Sequence, residues 1–329
     1  MKSPVQDVPA WSGYPHREGI AEQLSLTLSL NGRTLHAEAH LWRFPAAPGP
    51  LAHASDGAQS RAAPRMLMIH GFRGDHHGLQ LMADALPEFE LMVPDLPGFN
   101  AAPPVTDDAG SRVEHTLEVY AAYVSAVSEA LRLGSGDLLL GHSFGTIVTA
   151  AHAAHTDLPW AGLILSAPVS ETIFRWPAMV GAAAVEAYYQ LSRILPERAG
   201  HALLRSGTIM EITNVSLISS RDPALREYVR DQHRRFFGGY SDIATLLDAY
   251  RASSRSTAAD FAEGLSLPVL LAAGAEDSLG TPQGRRRLRD ALPQGHLELV
   301  RGVGHLIHYE KPAELGRSVR RFARSLQLL

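Results

Sequence analysis

Cysteine is absent from the 329 residues, and lysine occurs only as Lys2 and Lys311. The first absence excludes thiol nucleophiles, disulfides, Fe–S clusters and cysteine zinc sites, and the second leaves little room for Schiff-base chemistry. Also missing is any stretch near the roughly 18 consecutive apolar residues that a membrane span requires. Residues 1–15 carry Pro, Asp and Trp where a signal peptide would be apolar. The net charge is −4, and 30 basic residues, nearly all Arg, are interspersed with 34 acids, so no basic stripe for nucleic acid is present. These absences predict a cytoplasmic protein with a small-molecule substrate, no nucleic-acid partner and no stable membrane insertion; oligomeric state leaves no sequence signal. At 45% hydrophobic residues the chain can bury a sizeable core. Histidine is plentiful, at 16 residues. The chemistry open to the chain is that of Ser/Thr, His and carboxylates, or of a His/Asp metal site.

The run from Leu24 to Leu30 alternates apolar and polar, Asn31-Gly32 follows, and Leu35 to Trp42 partly alternates again, which predicts an antiparallel β-hairpin. Residues 45–64 are rich in Ala, Pro, Gly, Ser and His without a period and read as a flexible surface loop unrelated to the chemistry. Short apolar runs then recur at Met66–Ile69, Leu91–Pro94, Leu138–Leu140, Gly162–Ser166, Val269–Ala273 and Leu297–Val300, separated by amphipathic stretches such as Leu117–Leu133 and Ile147–His155. That alternation predicts a doubly wound α/β domain with a mostly parallel sheet. Between Val169 and Gly264 no strand is evident. Helical periods occupy Met179–Leu195, Pro223–Phe237 and Ile243–Arg251, and the interval holds ten aromatic residues. The expected organisation is a core of residues 20–168 and 265–329 with a helical cap, 169–264, inserted between later strands. Most cap aromatics are expected to pack it onto the core.

Gly141-His142-Ser143-Phe144-Gly145 lies directly after one predicted strand and before a predicted helix. In that context G-x-S-x-G is a nucleophile elbow, a turn so sharp that side chains two residues either side of the serine would collide. It holds the hydroxyl at the positive end of the following helix. A serine hydroxyl needs a base to take its proton and a carboxylate to orient that base. Asp277 and His305 follow the last two predicted strands, in the chain order expected; Glu276 is the alternative acid. His142 and His308 read as packing or supporting residues. An oxyanion hole needs two backbone N–H groups: one from Phe144, after the nucleophile, the other from Phe72, after the Met66–Ile69 strand, where Gly71 lets the backbone approach.

The motifs His70-Gly71-Phe72, Asp95-Leu96-Pro97-Gly98-Phe99, the Ser143 elbow, Gly274 to Asp277, and Gly304-His305 with Glu310-Lys311-Pro312 span residues 66–312. On these the chain resembles capped members of the α/β-hydrolase superfamily. The resemblance implies an eight-stranded type of sheet and a serine hydrolase that needs no cofactor, and says little of substrate. Departures narrow it. Asn100-Ala101-Ala102-Pro103 follows the Asp95 motif where relatives often have Gly and Ser. Ser143 stands where epoxide hydrolases and haloalkane dehalogenases carry Asp, and Leu306 where carbon–carbon bond hydrolases commonly place Trp.

The expected activity is therefore hydrolysis of a carboxylic ester, thioester or lactone of a mostly apolar small molecule through an acyl-enzyme. A carbon–carbon bond hydrolase acting on a vinylogous diketone and a non-catalytic ligand receptor are the alternatives. Arg73, His76 and Trp176 are candidate pocket residues. Asp75-His76-His77 lacks the H-x-H-x-D-H spacing of a zinc hydrolase, so no metal site is expected, and Asp75 reads as a helix cap. Residues 176–189 could form an amphipathic lid, but packing on the core explains the same pattern.

Overall fold

The computed structural model describes residues 13–47, 63–172 and 179–329. Most of the expected 45–64 loop, and Trp176 with the start of the candidate lid, lie outside the described residues. The N-terminal alternation forms a hairpin of β1 (Ile20–Leu30) and β2 (Arg33–Phe44), joined by Asn31 and Gly32 at φ 51° and 73°, the conformation a type I′ turn requires. The short apolar runs become β3 (Arg65–Ile69), β4 (Glu90–Pro94), β6 (Leu138–His142), β7 (Gly162–Ser166), β8 (Val269–Gly274) and β9 (Gly295–Val300); the two-residue β5 (Thr106–Asp107) is additional. The order across the sheet is β1-β2-β4-β3-β6-β7-β8-β9, with β5 beside β2. The strands from β4 to β9 along this path are parallel, and the hairpin joins them antiparallel through β2 and β4. Every residue of β6, β7 and β8 is buried, as strands covered on both faces must be.

Alternate residues serve opposite faces. Leu67, Ile69 and Leu139 meet α2 (Leu117–Ala130) and α3 (Phe144–His155) in one core cluster. Met66, Met68, Leu138 and Leu140 meet α1 (Gln80–Asp84) and α11 (Pro312–Ser325) in the other.

Between β7 and β8 lie α4 (Met179–Ile194), α5 (Glu197–Leu204), α6 (Gly207–Leu217), α7 (Pro223–Phe236) and α8 (Ile243–Arg255); α9 (Pro282–Ala291) and the short α10 (Ile307–Glu310) come later. The three expected helical periods are thus α4, α7 and α8, while α5 and α6 are additional. Asp222 caps α7 by accepting from Ala224 N (2.9 Å), and Asp242 caps α8 by accepting from Thr245 N (2.8 Å). Two of the places where the insertion is seated are apolar or aromatic clusters. Ile218, Leu225 and Val229 pack on Leu81, Leu306 and Tyr309. Tyr189 of α4 stacks on Tyr250 of α8 (4.2 Å between centroids), and both rings meet Phe72. Among the described residues no helix is long and apolar enough to cross a membrane.

Candidate active site

Ser143 sits between β6 and α3 with φ 52° and ψ −118°, a conformation L-residues rarely adopt. Its surroundings hold it there: Ser143 N–H donates to Ser166 O (3.0 Å), and Ser143 O accepts from Thr146 N (2.8 Å) and Thr146 Oγ1 (2.6 Å). A Cβ at Gly141 would lie 2.2 Å from Gly145 O, and one at Gly145 would lie 2.2 Å from Ile69 O. Only glycine fits either position, which is the physical content of the motif.

The ends of β8 and β9 bring the other two residues to it. His305 Nε2 is 2.8 Å from Ser143 Oγ, and His305 Nδ1 is 3.0 Å from Asp277 Oδ2. With Nδ1–H donating to the carboxylate, Nε2 presents its lone pair to the serine hydroxyl. Burial acts to raise the Asp277 carboxyl pKa, but the facing His305, its hydrogen bond and the Leu279 N–H (2.9 Å) outweigh it and hold the carboxyl below its usual range. Glu276 does not take this place: its backbone N–H donates to Val303 O (3.1 Å), and the residue lines a separate cavity of about 510 Å³. His142 and His308 pack behind the serine, their rings 3.8 Å apart. Burial lowers His142 to about 3 and His308 well below the ordinary value, so both are neutral.

Phe144 is the first residue of α3, so its N–H has no partner within the helix. Gly71 and Gly74 close a turn (Gly74 N to Gly71 O, 3.1 Å) with Phe72 and Arg73 at its centre. A Cβ on Gly71 would stand 3.1 Å from Ser143 Cβ, so this turn runs directly beside Ser143. Two residues around it were given no role from the sequence. His70 donates from Nδ1 to Gly71 O (2.8 Å) and accepts at Nε2 from Leu96 N (2.8 Å); burial keeps it neutral. Asp95, fully buried, accepts from His76 N (2.8 Å) and Asn100 Nδ2 (3.2 Å). Both lie in motifs visible in the sequence, but their partners are other loops. A third, Arg285 of α9, has no such signal. It is 2% exposed and donates to the carbonyls of Gly280 (2.7 Å), Ala275 (3.2 Å) and Asp277 (3.3 Å), clamping the loop that carries the carboxylate.

Of the candidate pocket residues, Arg73 lines a cavity of about 280 Å³. His76 does not line that cavity: its ring stacks on Trp42 (3.3 Å) and its Nδ1 faces Asp95 Oδ1 (3.0 Å). Asp75 caps the following turn by accepting from His77 N (2.9 Å). Asp75, His76 and His77 place three potential ligand atoms within 4.8 Å of one another. The two imidazoles are, however, held in a column between Trp42 and Phe236 (His77 to Phe236, 3.7 Å), and their Nδ1 atoms face Asp95 and Asp75.

Known proteins share this architecture. The chain is 21% identical to Lipase 3 of Moraxella sp. (strain TA144) over 270 residues, covering 80% of this chain and 78% of that protein. The structure of a thermophilic esterase from Thermogutta terrifontis superposes with a TM-score of 0.69 at 21% identity, over 93% of this chain and 99% of that one. The enol-lactonase from Burkholderia xenovorans gives 0.65 at 16% identity, over 91% and 99%. A family model described as alpha/beta hydrolase fold matches residues 64–312. That match runs from just before β3 to the first residue of α11 and takes in every part of the site, so the chain belongs to the alpha/beta hydrolase family.

Proposed function

We propose that this protein is a serine hydrolase that cleaves a carboxylic ester, thioester or lactone through an acyl-enzyme. The observation that carries the reading is the unbroken chain from Ser143 Oγ to His305 Nε2 (2.8 Å) and from His305 Nδ1 to Asp277 Oδ2 (3.0 Å). Ser143 attacks the carbonyl carbon while its proton passes to His305 Nε2. The N–H groups of Phe72 and Phe144 receive the developing oxyanion, aided by the positive end of α3. Collapse expels the leaving group, which takes the proton from Nε2, and water repeats the sequence on the acyl-serine. Asp277 keeps the imidazole in one tautomer and stabilises its charged form. These steps use only the chain, the substrate and water.

In this reading residues 169–264 form a cap over a core of 20–168 and 265–329, with Phe72 joining the oxyanion turn to the cap through Tyr189 and Tyr250. The relatives named as esterase, lipase and lactonase favour ester chemistry. The test is hydrolysis of 4-nitrophenyl esters beside a vinylogous 1,5-diketone. Ester turnover is expected, lowered about 10⁴-fold or more in Ser143→Ala. Turnover of the diketone alone, or unchanged ester turnover in the variant, contradicts the proposal.

A further inference from the structure

Between the Arg73 turn and the ends of α5 and α7 lies the 280 Å³ cavity, lined by Arg73, Arg205, Arg234, Arg235 and His233 together with glycines and Met210. Among the described residues that line it there is no Asp or Glu. Arg234 and Arg235 are balanced by Glu227 and Asp231 along their own exposed helix face, and burial keeps His233 neutral, at about 4. Arg73 and Arg205 are different. The Arg205 guanidinium lies 5.4 Å from the Tyr240 ring centre. Arg73 is 7% exposed; its Nη2 donates to Leu204 O (2.8 Å), and the group lies 5.9 Å from the Phe237 ring centre. Its Nε is buried without a hydrogen-bond partner, the side chains of Tyr188 and Tyr189 are hydrogen-bonding neighbours of the guanidinium, and among the described residues no carboxylate pairs with it.

A guanidinium stays protonated at any working pH, and a buried charge without a counter-charge is costly. The backbone adds a second cost. Arg73 has φ 60° at the centre of its turn, a conformation glycine would adopt freely. Arginine at that position puts a full positive charge into the lining of the cavity, with its Nε buried and unpaired. The position also ties the cavity to the nucleophile. Arg73 is two residues from Gly71, a Cα separation of about 7 Å at most, and Gly71 abuts Ser143. The turn that carries Arg73 into the cavity lining thus also runs beside Ser143.

We propose that the cavity receives an anionic oxyacid group, carboxylate or phosphate, carried by the ester that Ser143 cleaves, with Arg73 and Arg205 as its cationic ligands. This rests on the serine-hydrolase reading and replaces the mostly apolar substrate expected from the aromatic insertion with an ester bearing a negative end. Guanidinium groups bind such oxyanions through paired N–H donors.

The test measures calorimetric binding of glutarate and, separately, phenyl phosphate to the Ser143→Ala protein. It also measures inhibition by each of 4-nitrophenyl butyrate hydrolysis in the wild type. At least one anion is expected to bind and to compete with the ester, and the arm that responds names the oxyacid. Arg73→Gln and Arg205→Gln should each weaken that binding about tenfold or more. Arg205 is exposed, so its variant remains informative if loss of the buried Arg73 prevents folding. No binding of either anion, binding that neither substitution moves, or inhibition that does not compete with the ester overturns the proposal. Failure of the hydrolase reading looks different: no Ser143-dependent ester turnover, with calorimetry still deciding the cavity.

Discussion

At the scale of single residues, the candidate site depends on groups beyond Ser143, Asp277 and His305. Arg285 satisfies three carbonyls of the loop around Asp277, and removing it leaves buried acceptors unpaired, at about 1–3 kcal/mol each. Arg285→Met should lower kcat by about 10²-fold through misplacement of Asp277, with KM little changed and the urea midpoint reduced. Arg285→Lys should recover part of kcat. A rise in KM at constant kcat would instead make Arg285 a substrate contact. Ser143, Asp277 and His305 were legible because each stands at a fixed offset from a strand end, and strand ends show as apolar runs stopping at Gly. Arg285 was not legible, since a buried arginine and its exposed neighbours Arg286 and Arg287 look alike until the fold decides which one points inward. Arg73 drew notice only through its neighbours in sequence. Its carbonyl partner, Leu204, lies 131 residues away.

At the scale of elements, α7 of the helical insertion is seated on one apolar cluster. Val229 of α7 is fully buried against Leu81, Leu306 and Tyr309, and Leu306 directly follows His305. Val229→Ala should cost about 2 kcal/mol, read as a lower urea midpoint, and should open α7 to proteolysis before the sheet core is cut. Cleavage appearing first in α2 or α3 would show that the insertion does not loosen separately. The parallel strands were readable because short, mostly apolar runs of three to five residues bounded by Gly, Pro or Asp suit little else. Helices α5 and α6 were not. Both are short, and α6 leaves Ile212 and Val215 exposed, which blurs the periodicity by which a helix is recognised. The two-residue β5 and the pairing order across the sheet rest on contacts between distant segments, which no local pattern encodes.

At the scale of the whole molecule, the abundance of histidine becomes a statement about acid stability. Seven described histidines (His70, His76, His115, His142, His152, His233 and His308) are pushed below their ordinary value by burial, to about 3 or 4 where the shift is large. Unfolded, each titrates near about 6.5. Between the two values the unfolded chain binds protons that the folded one refuses, so stability is full above the unfolded value and falls as pH drops, by about 1.4 kcal/mol per group per pH unit. Asp84, Asp95 and Glu310 are raised by burial and oppose this, because their folded forms retain protons. The histidines outnumber them. The urea midpoint should therefore fall steadily from pH 6.5 to 4.5, and a flat or rising midpoint would contradict the buried neutral assignment. Composition showed 16 histidines; which of them fold inward is a property of the assembled layers.

The central claim, that Ser143 is the nucleophile of a covalent mechanism, is tested most directly by peptide mass mapping after exposure to a fluorophosphonate. A single phosphonyl adduct is expected on the peptide carrying Gly141-His142-Ser143-Phe144-Gly145, and none is expected in Ser143→Ala. An adduct on another residue, or an unlabelled Ser143 in protein that still hydrolyses esters, would contradict it.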